Sequence, residues 1–154
     1  MYAVVALFNP ELEQSIKTIW EGLESNGISY YAREVEDRVP HITIANYKEI
    51  PVRNFINTKT LFYSPTITEE LLDLHSNHHR NFASFIDDKE SVYLPGKWIP
   101  HCTLANRLSE EKLQDAYNYC LKINEKLKGE INRIGLIRID SKKHVPLIYS
   151  ESLM

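Results

Sequence analysis

Val39-Pro40-His41-Ile42-Thr43-Ile44-Ala45-Asn46 returns at 99–106 as Ile99-Pro100-His101-Cys102-Thr103-Leu104-Ala105-Asn106. Pro, His, Thr, Ala and Asn are identical in the two copies, and the other positions are apolar in both. Alternation of apolar residues marks each copy as a β-strand. Side chains alternate across a strand, so His41, Thr43 and Ala45 share one face and Ile42 and Ile44 the other. His101, Thr103 and Ala105 are placed alike, opposite Cys102 and Leu104. The apolar faces need cover, which leaves the His/Thr faces to line a cleft, with each alanine giving a ligand room. Two such strands facing each other bring two imidazoles and two hydroxyls to one point. A base, an acid and neutral donors to non-bridging oxygens are what transfer at a phosphodiester requires.

Outward from the repeat, Tyr2 to Phe8 reads as a buried strand. Asn9-Pro10 opens a helix, with Asn as N-cap and Pro at the first helical position, and Leu12, Ile16, Ile19, Trp20 and Leu23 recur at helical spacing until Asn26-Gly27. Further strands are expected over Ile28–Arg33, Thr60–Tyr63, Ser91–Leu94, Trp98–Asn106, Ile131–Asp140 and Val145–Tyr149. A Thr68 cap starts a helix running to about Ile86, and a Ser109 cap starts another that Gly129 ends. Several turns between strands are too short for parallel crossovers. The fold class is therefore α+β with mainly antiparallel sheet, and no linker divides the 154 residues into more than one domain.

Composition narrows the function. A net charge of −3, with 18 basic residues scattered among 21 acidic ones, does not suit an extended nucleic-acid surface. A small phosphate ester or the end of an RNA remains compatible. No apolar run is long enough to span a membrane. Met1-Tyr2-Ala3-Val4 has neither the basic start nor the cleavage site of a signal peptide, so a cytoplasmic location is expected. Cys102 and Cys120 fall on core-facing positions and have no metal-ligand spacing, which suits free thiols in a reducing compartment.

Each of these residues also has an ordinary reading. One strand histidine is usually a hydrogen-bonded core residue; two in identical flanks favour catalysis by His41 and His101, with Thr43 and Thr103 as donors. His75, His78 and His79 have a spacing that can bind metal, but Leu71, His75, His78, Phe82 and Phe85 form the helix's inner stripe, so a structural role is favoured. Trp98, Tyr93, Tyr47 and Phe8 could stack a base or belong to the core. Lys48, Lys97 and Arg107 flank the motifs and could attract phosphate or be merely solvated. Of these, Trp98, Tyr47, Arg107 and Lys97 are the candidate substrate-binding residues. Acid, base and donors are all supplied by His and Thr, so neither metal nor cofactor is expected.

The paired motifs His41-Ile42-Thr43-Ile44 and His101-Cys102-Thr103-Leu104 resemble the signature of the two-histidine (2H) phosphoesterases. That superfamily includes cyclic nucleotide phosphodiesterases and 2′-5′ RNA ligases. The resemblance implies one domain of two pseudo-twofold lobes, helices outside, with the active site in a central groove. It also implies a metal-independent phosphodiesterase, acting on a 2′,3′-cyclic phosphate of a nucleotide or RNA end, and expected to be a monomer. Two alternatives are a 2′-5′ ligase or phosphodiesterase and a non-catalytic module that binds nucleotides or RNA ends. The RNA-ligase branch usually carries an arginine two residues after its second motif, where this chain has Asn106; Arg107 is one step away and points across the strand.

Overall fold

Burial on both sides makes the first strand the centre of the molecule. In the computed structural model, which describes residues 2–47, 59–86, 89–123, 127–141 and 144–153 apart from the side chains of Asn46 and Tyr47, β1 spans Tyr2–Phe8. It is followed by α1 (Pro10–Ser25), β2 (His41–Tyr47), β3 (Leu61–Tyr63) and α2 (Glu69–Asn81). Then come β4 (Cys102–Ala105), α3 (Glu110–Ile123), β5 (Ile131–Arg138) and β6 (Leu147–Ser152). One sheet has the order β2-β1-β5-β6 and a smaller one pairs β3 with β4, every pairing being antiparallel. The fold is α+β as expected, with one motif in each sheet. Among the described residues, no helix is long and apolar enough to cross a membrane.

A single core joins the backs of the two motif strands. Ile42 and Ile44 of β2 cluster with Cys102 and Leu104 of β4, with Ala6 and Phe8 of β1, and with Ile16, Ile19, Trp20 and Leu23 of α1. Each fully buried aliphatic side chain here contributes about 1.5–3 kcal/mol. A second, smaller core gathers Ala3, Val5, Leu7 and Ile137 on the opposite side of β1. Thr68 caps α2 by accepting from the Leu71 N–H at 3.3 Å, and Ser109 caps α3 through the Lys112 N–H at 3.2 Å. Asn9 is the N-cap of α1 as expected, but its side chain makes no capping hydrogen bond. Its amide donates to Glu11, and its carbonyl oxygen accepts from the Glu130 N–H, tying the start of α1 to the approach to β5.

The expected strands over Ile28–Arg33 and Ser91–Leu94 are instead turns. One cause explains both. The Ser29 hydroxyl accepts from the Tyr31 N–H at 3.3 Å, and the Ser91 hydroxyl from the Tyr93 N–H at 3.2 Å. Such a side-chain acceptor competes with ladder pairing and curls the chain. A further turn, in which Lys97 and Trp98 N–H groups reach the Leu94 carbonyl, delays β4 to Cys102, so His101 lies just before the strand. α2 stops at Asn81, leaving Phe82 and Phe85 exposed, and it buries His79 where His78 was expected. The last two strands are Ile131–Arg138 and Leu147–Ser152; Pro146, which has no N–H, precedes the second and only accepts, from Arg138.

Both motif strands carry a bulge at the same motif position. Val4 and Val5 face Ala45 and Thr43, passing over Ile44; Leu61 and Phe62 face Ala105 and Thr103, passing over Leu104. Alternation ends there: Ile44 and Ala45 are both buried, as are Leu104 and Ala105. The alanines therefore belong to the interior and do not open the His/Thr face as expected.

Candidate active site

His41, Thr43, His101 and Thr103 line one small crevice together with Trp20, Tyr31, Val39 and Cys102. The strand alternation that buries Ile42 and Cys102 leaves the intervening His and Thr half-buried on the crevice side. The two motif strands also pack on each other, since Ile42 and Ile44 share one core with Leu104 and the Cys102 thiol. Burial pushes that thiol up to about 12, so it is no nucleophile near neutral pH.

Both imidazoles are held in the same way. His41 Nδ1 lies 2.8 Å from the Val39 carbonyl, and His101 Nδ1 lies 2.8 Å from the Ile99 carbonyl. A carbonyl oxygen only accepts, so in each ring Nδ1 carries the proton and Nε2 the lone pair. Each neutral ring is thereby set up as a base at Nε2, and each becomes an acid there once protonated. Burial lowers the His41 pKa to about 4, against the pull of the Val39 carbonyl, and the nearby charges of Arg38 and His101 lower it further. Burial also lowers His101. The coupling between the two rings reflects their closeness.

The threonine backbones are held in a crossed pattern. Trp20 of α1, which precedes the first motif, donates its indole N–H to the Thr103 carbonyl of the second motif at 3.2 Å. Trp98, just before the second motif, donates to the Thr43 carbonyl of the first at 3.0 Å. Tyr31 lines the same crevice as Thr103 and meets the Trp20 ring edge-on.

Arg38 supplies positive charge beside the crevice. Its guanidinium carbon lies 3.9 Å from the centre of the Tyr31 ring, and its Nε is buried without a partner. The sequence reading passed over Arg38, Tyr31 and Trp20. The repeated Ser29-x-Tyr31 and Ser91-x-Tyr93 pair was the available signal for the tyrosines. Arg38 stands in a charged loop and has no such marker.

The secondary candidates are placed elsewhere. Trp98 stacks on His75 at 3.9 Å with planes 3° apart, beneath the first motif and outside the crevice lining. Lys97 is ion-paired with Glu90 at 3.0 Å on the surface. Arg107 is exposed, in a left-handed backbone conformation past the end of β4. The Tyr47 side chain and Lys48 lie outside the described residues. On α2, His79 Nε2 meets the Ile44 carbonyl at 3.3 Å and so braces the first motif from behind, while His75 Nε2 meets the Tyr93 carbonyl at 2.6 Å in the turn that precedes Trp98. Among the described residues no three His, Cys, Asp or Glu side chains are grouped to hold a metal.

No curated protein matches the chain. The family model described as the 2′-5′ RNA ligase superfamily matches residues 50–143, which takes in the second motif and begins just after the first. That is more than half of the chain, over a stretch containing β3, α2, β4 and α3. With its two His-x-Thr motifs brought to one crevice, the chain belongs to the 2′-5′ RNA ligase superfamily, the group of the 2H phosphoesterases.

Proposed function

We propose that this protein hydrolyses a 2′,3′-cyclic phosphate, on a nucleotide or at an RNA end, without a metal. The observation that carries the proposal is the meeting of both His and both Thr side chains in one crevice. His41, the ring held neutral more firmly, takes a proton from water at Nε2 as the water oxygen attacks phosphorus. His101, charged when the anionic phosphate is bound, gives its Nε2 proton to the departing ribose oxygen. Thr43 and Thr103 donate to the non-bridging oxygens while phosphorus is pentacoordinate, and Arg38 offsets the negative charge. The product is a phosphomonoester, and the two imidazoles have exchanged protonation states. Proton return through solvent resets them.

Formation or cleavage of a 2′-5′ linkage is the second reading. The family match is equally compatible with it, and it uses the same acid and base on a different leaving group. Purified protein assayed on 2′,3′-cyclic nucleotides, 2′-5′ dinucleotides and RNA with 2′,3′-cyclic ends separates the two. His41→Ala and His101→Ala should each slow the active substrate by about 10²–10⁴. If both retain wild-type rates, the mechanism is wrong; if wild type turns over none of the substrates yet binds RNA ends, the binding-module reading replaces it.

A further inference from the structure

The chain has two tryptophans, and each reaches across to the motif of the other half. Trp20, on α1 ahead of the first motif, donates its indole N–H to the Thr103 carbonyl at 3.2 Å. Trp98, just ahead of the second motif, donates to the Thr43 carbonyl at 3.0 Å. An indole N–H only donates and a carbonyl only accepts, so the direction of both bonds is fixed. β2 and β4 each stand at the edge of their sheet, and an edge strand has backbone carbonyls that no ladder takes. In both copies of the repeat the indole meets the same carbonyl, that of the threonine lining the crevice.

Each indole is itself held. Trp98 lies flat on His75, 3.9 Å away with planes 3° apart, and His75 Nε2 meets the Tyr93 carbonyl at 2.6 Å. Trp20 is buried and meets the Tyr31 ring edge-on, with centroids 5.8 Å apart. Because each bond goes to the backbone, it fixes where the threonine stands without spending the proton of its hydroxyl. We propose that Trp20 and Trp98 are positioning residues, each pinning the threonine of the other motif so that both hydroxyls meet one phosphate at a set spacing. This clasp rests on the phosphodiesterase reading and adds a pair of residues to it. It also gives Trp98 a role through Thr43 in place of direct contact with substrate. The expected effect is on turnover, because the threonine donors strengthen as charge builds on the phosphate oxygens in the transition state.

The test exchanges the indole N–H for sulfur and keeps the shape of the ring system. β-(3-Benzothienyl)alanine is placed at Trp20 or Trp98 and assayed on 2′,3′-cyclic AMP, with melting curves to show that the protein is folded. Each exchange should lower kcat by about threefold to tenfold, the worth of one hydrogen bond, and leave KM within about twofold. At Trp98 it should cost its full factor in Thr103→Ala and nothing further in Thr43→Ala. At Trp20 the pattern should reverse. A merely structural indole would slow both threonine backgrounds equally, and that result overturns the proposal. So does an unchanged kcat, or a raised KM with kcat intact, which is the sign of a substrate contact. An independent arm keeps the N–H: 5-fluorotryptophan at both positions should leave kcat near the wild-type value. A loss there matching that of the sulfur analogue counts against the clasp. If wild type leaves the cyclic phosphate untouched, or the threonine replacements leave kcat intact, the phosphodiesterase reading of Thr43 and Thr103 fails, and the clasp with it. Additivity beside a large threonine effect removes the clasp alone.

Discussion

Acid should leave the proposed base in working order far below the pH at which an ordinary histidine is lost. With a pKa of about 4 in the resting protein, His41 is about 97% neutral near pH 5.5, whereas an unperturbed imidazole at about 6.5 would be only about 9% neutral. The difference is about tenfold in available base. kcat/KM reports the free enzyme, so its acid limb should fall near pH 4, and the alkaline limb, set by His101, should lie below 6.5. The optimum of kcat/KM is therefore on the acid side of neutrality. In the complex the phosphate anion favours imidazolium, and the kcat profile should move towards higher pH. The assay is initial rate against pH from about 3.5 to 9 at constant ionic strength on 2′,3′-cyclic AMP, with circular dichroism at each pH to show that the protein is folded. A kcat/KM bell with both limbs at or above about 6.5 would refute the reasoning, because it would mean that burial does not hold the two rings neutral.

Three further outcomes are expected. Arg38→Met keeps a long apolar stem against Tyr31 but removes the charge; KM should rise by about tenfold or more, and the kcat/KM acid limb should move up, since the Arg38 charge helps to depress His41. Unchanged KM and an unmoved limb would remove Arg38 from the site. Thermal stability should be full above about pH 6.5 and fall as the pH drops towards 4: the pKa values of His41, His75, His78 and His101 are all lowered by folding, so the unfolded chain binds more protons. His41 alone links roughly 3 kcal/mol to this window, and a Tm that is flat from pH 7 to 5 would contradict it. Finally, incubation with EDTA followed by dialysis should leave the rate unchanged. A lost rate restored by zinc would require the histidines of α2 to be read again.

The main architecture was legible because its signals are local and repeated. The two His-x-Thr copies exposed both motif strands, and helical spacing in Leu12, Ile16, Ile19, Trp20 and Leu23 exposed the buried side of α1. The errors were local as well. Tyr30-Tyr31 and Val92-Tyr93 have the β-branched and aromatic character of strands, but Ser29 and Ser91 bend them into turns through hydroxyl acceptors that propensity does not register. The alanines were misplaced because strict alternation cannot foresee a bulge. Arg38 and Trp20 were missed for another reason: their importance comes from contacts with Tyr31 and with Thr103, 83 positions from Trp20, and tertiary approach of that kind leaves no periodic trace.

The paired bulges bear on how this chain tolerates insertions and deletions. A strand that slips by one residue turns every side chain to the other side, which here would put Ile42 and Leu104 into the crevice and drive two imidazoles into hydrocarbon. An extra residue at Ile44 and again at Leu104 marks each ladder with an irregularity that fits one alignment only. The marked residue directly follows the threonine, so His and Thr sit on the regular side of it in both strands. Length changes beyond Ala45 leave the His-to-Thr spacing intact, while one residue added or lost between His41 and Thr43 breaks it outright. The chain thus separates a stretch that can drift in length from a three-residue stretch that cannot, and it places that division at the same point twice.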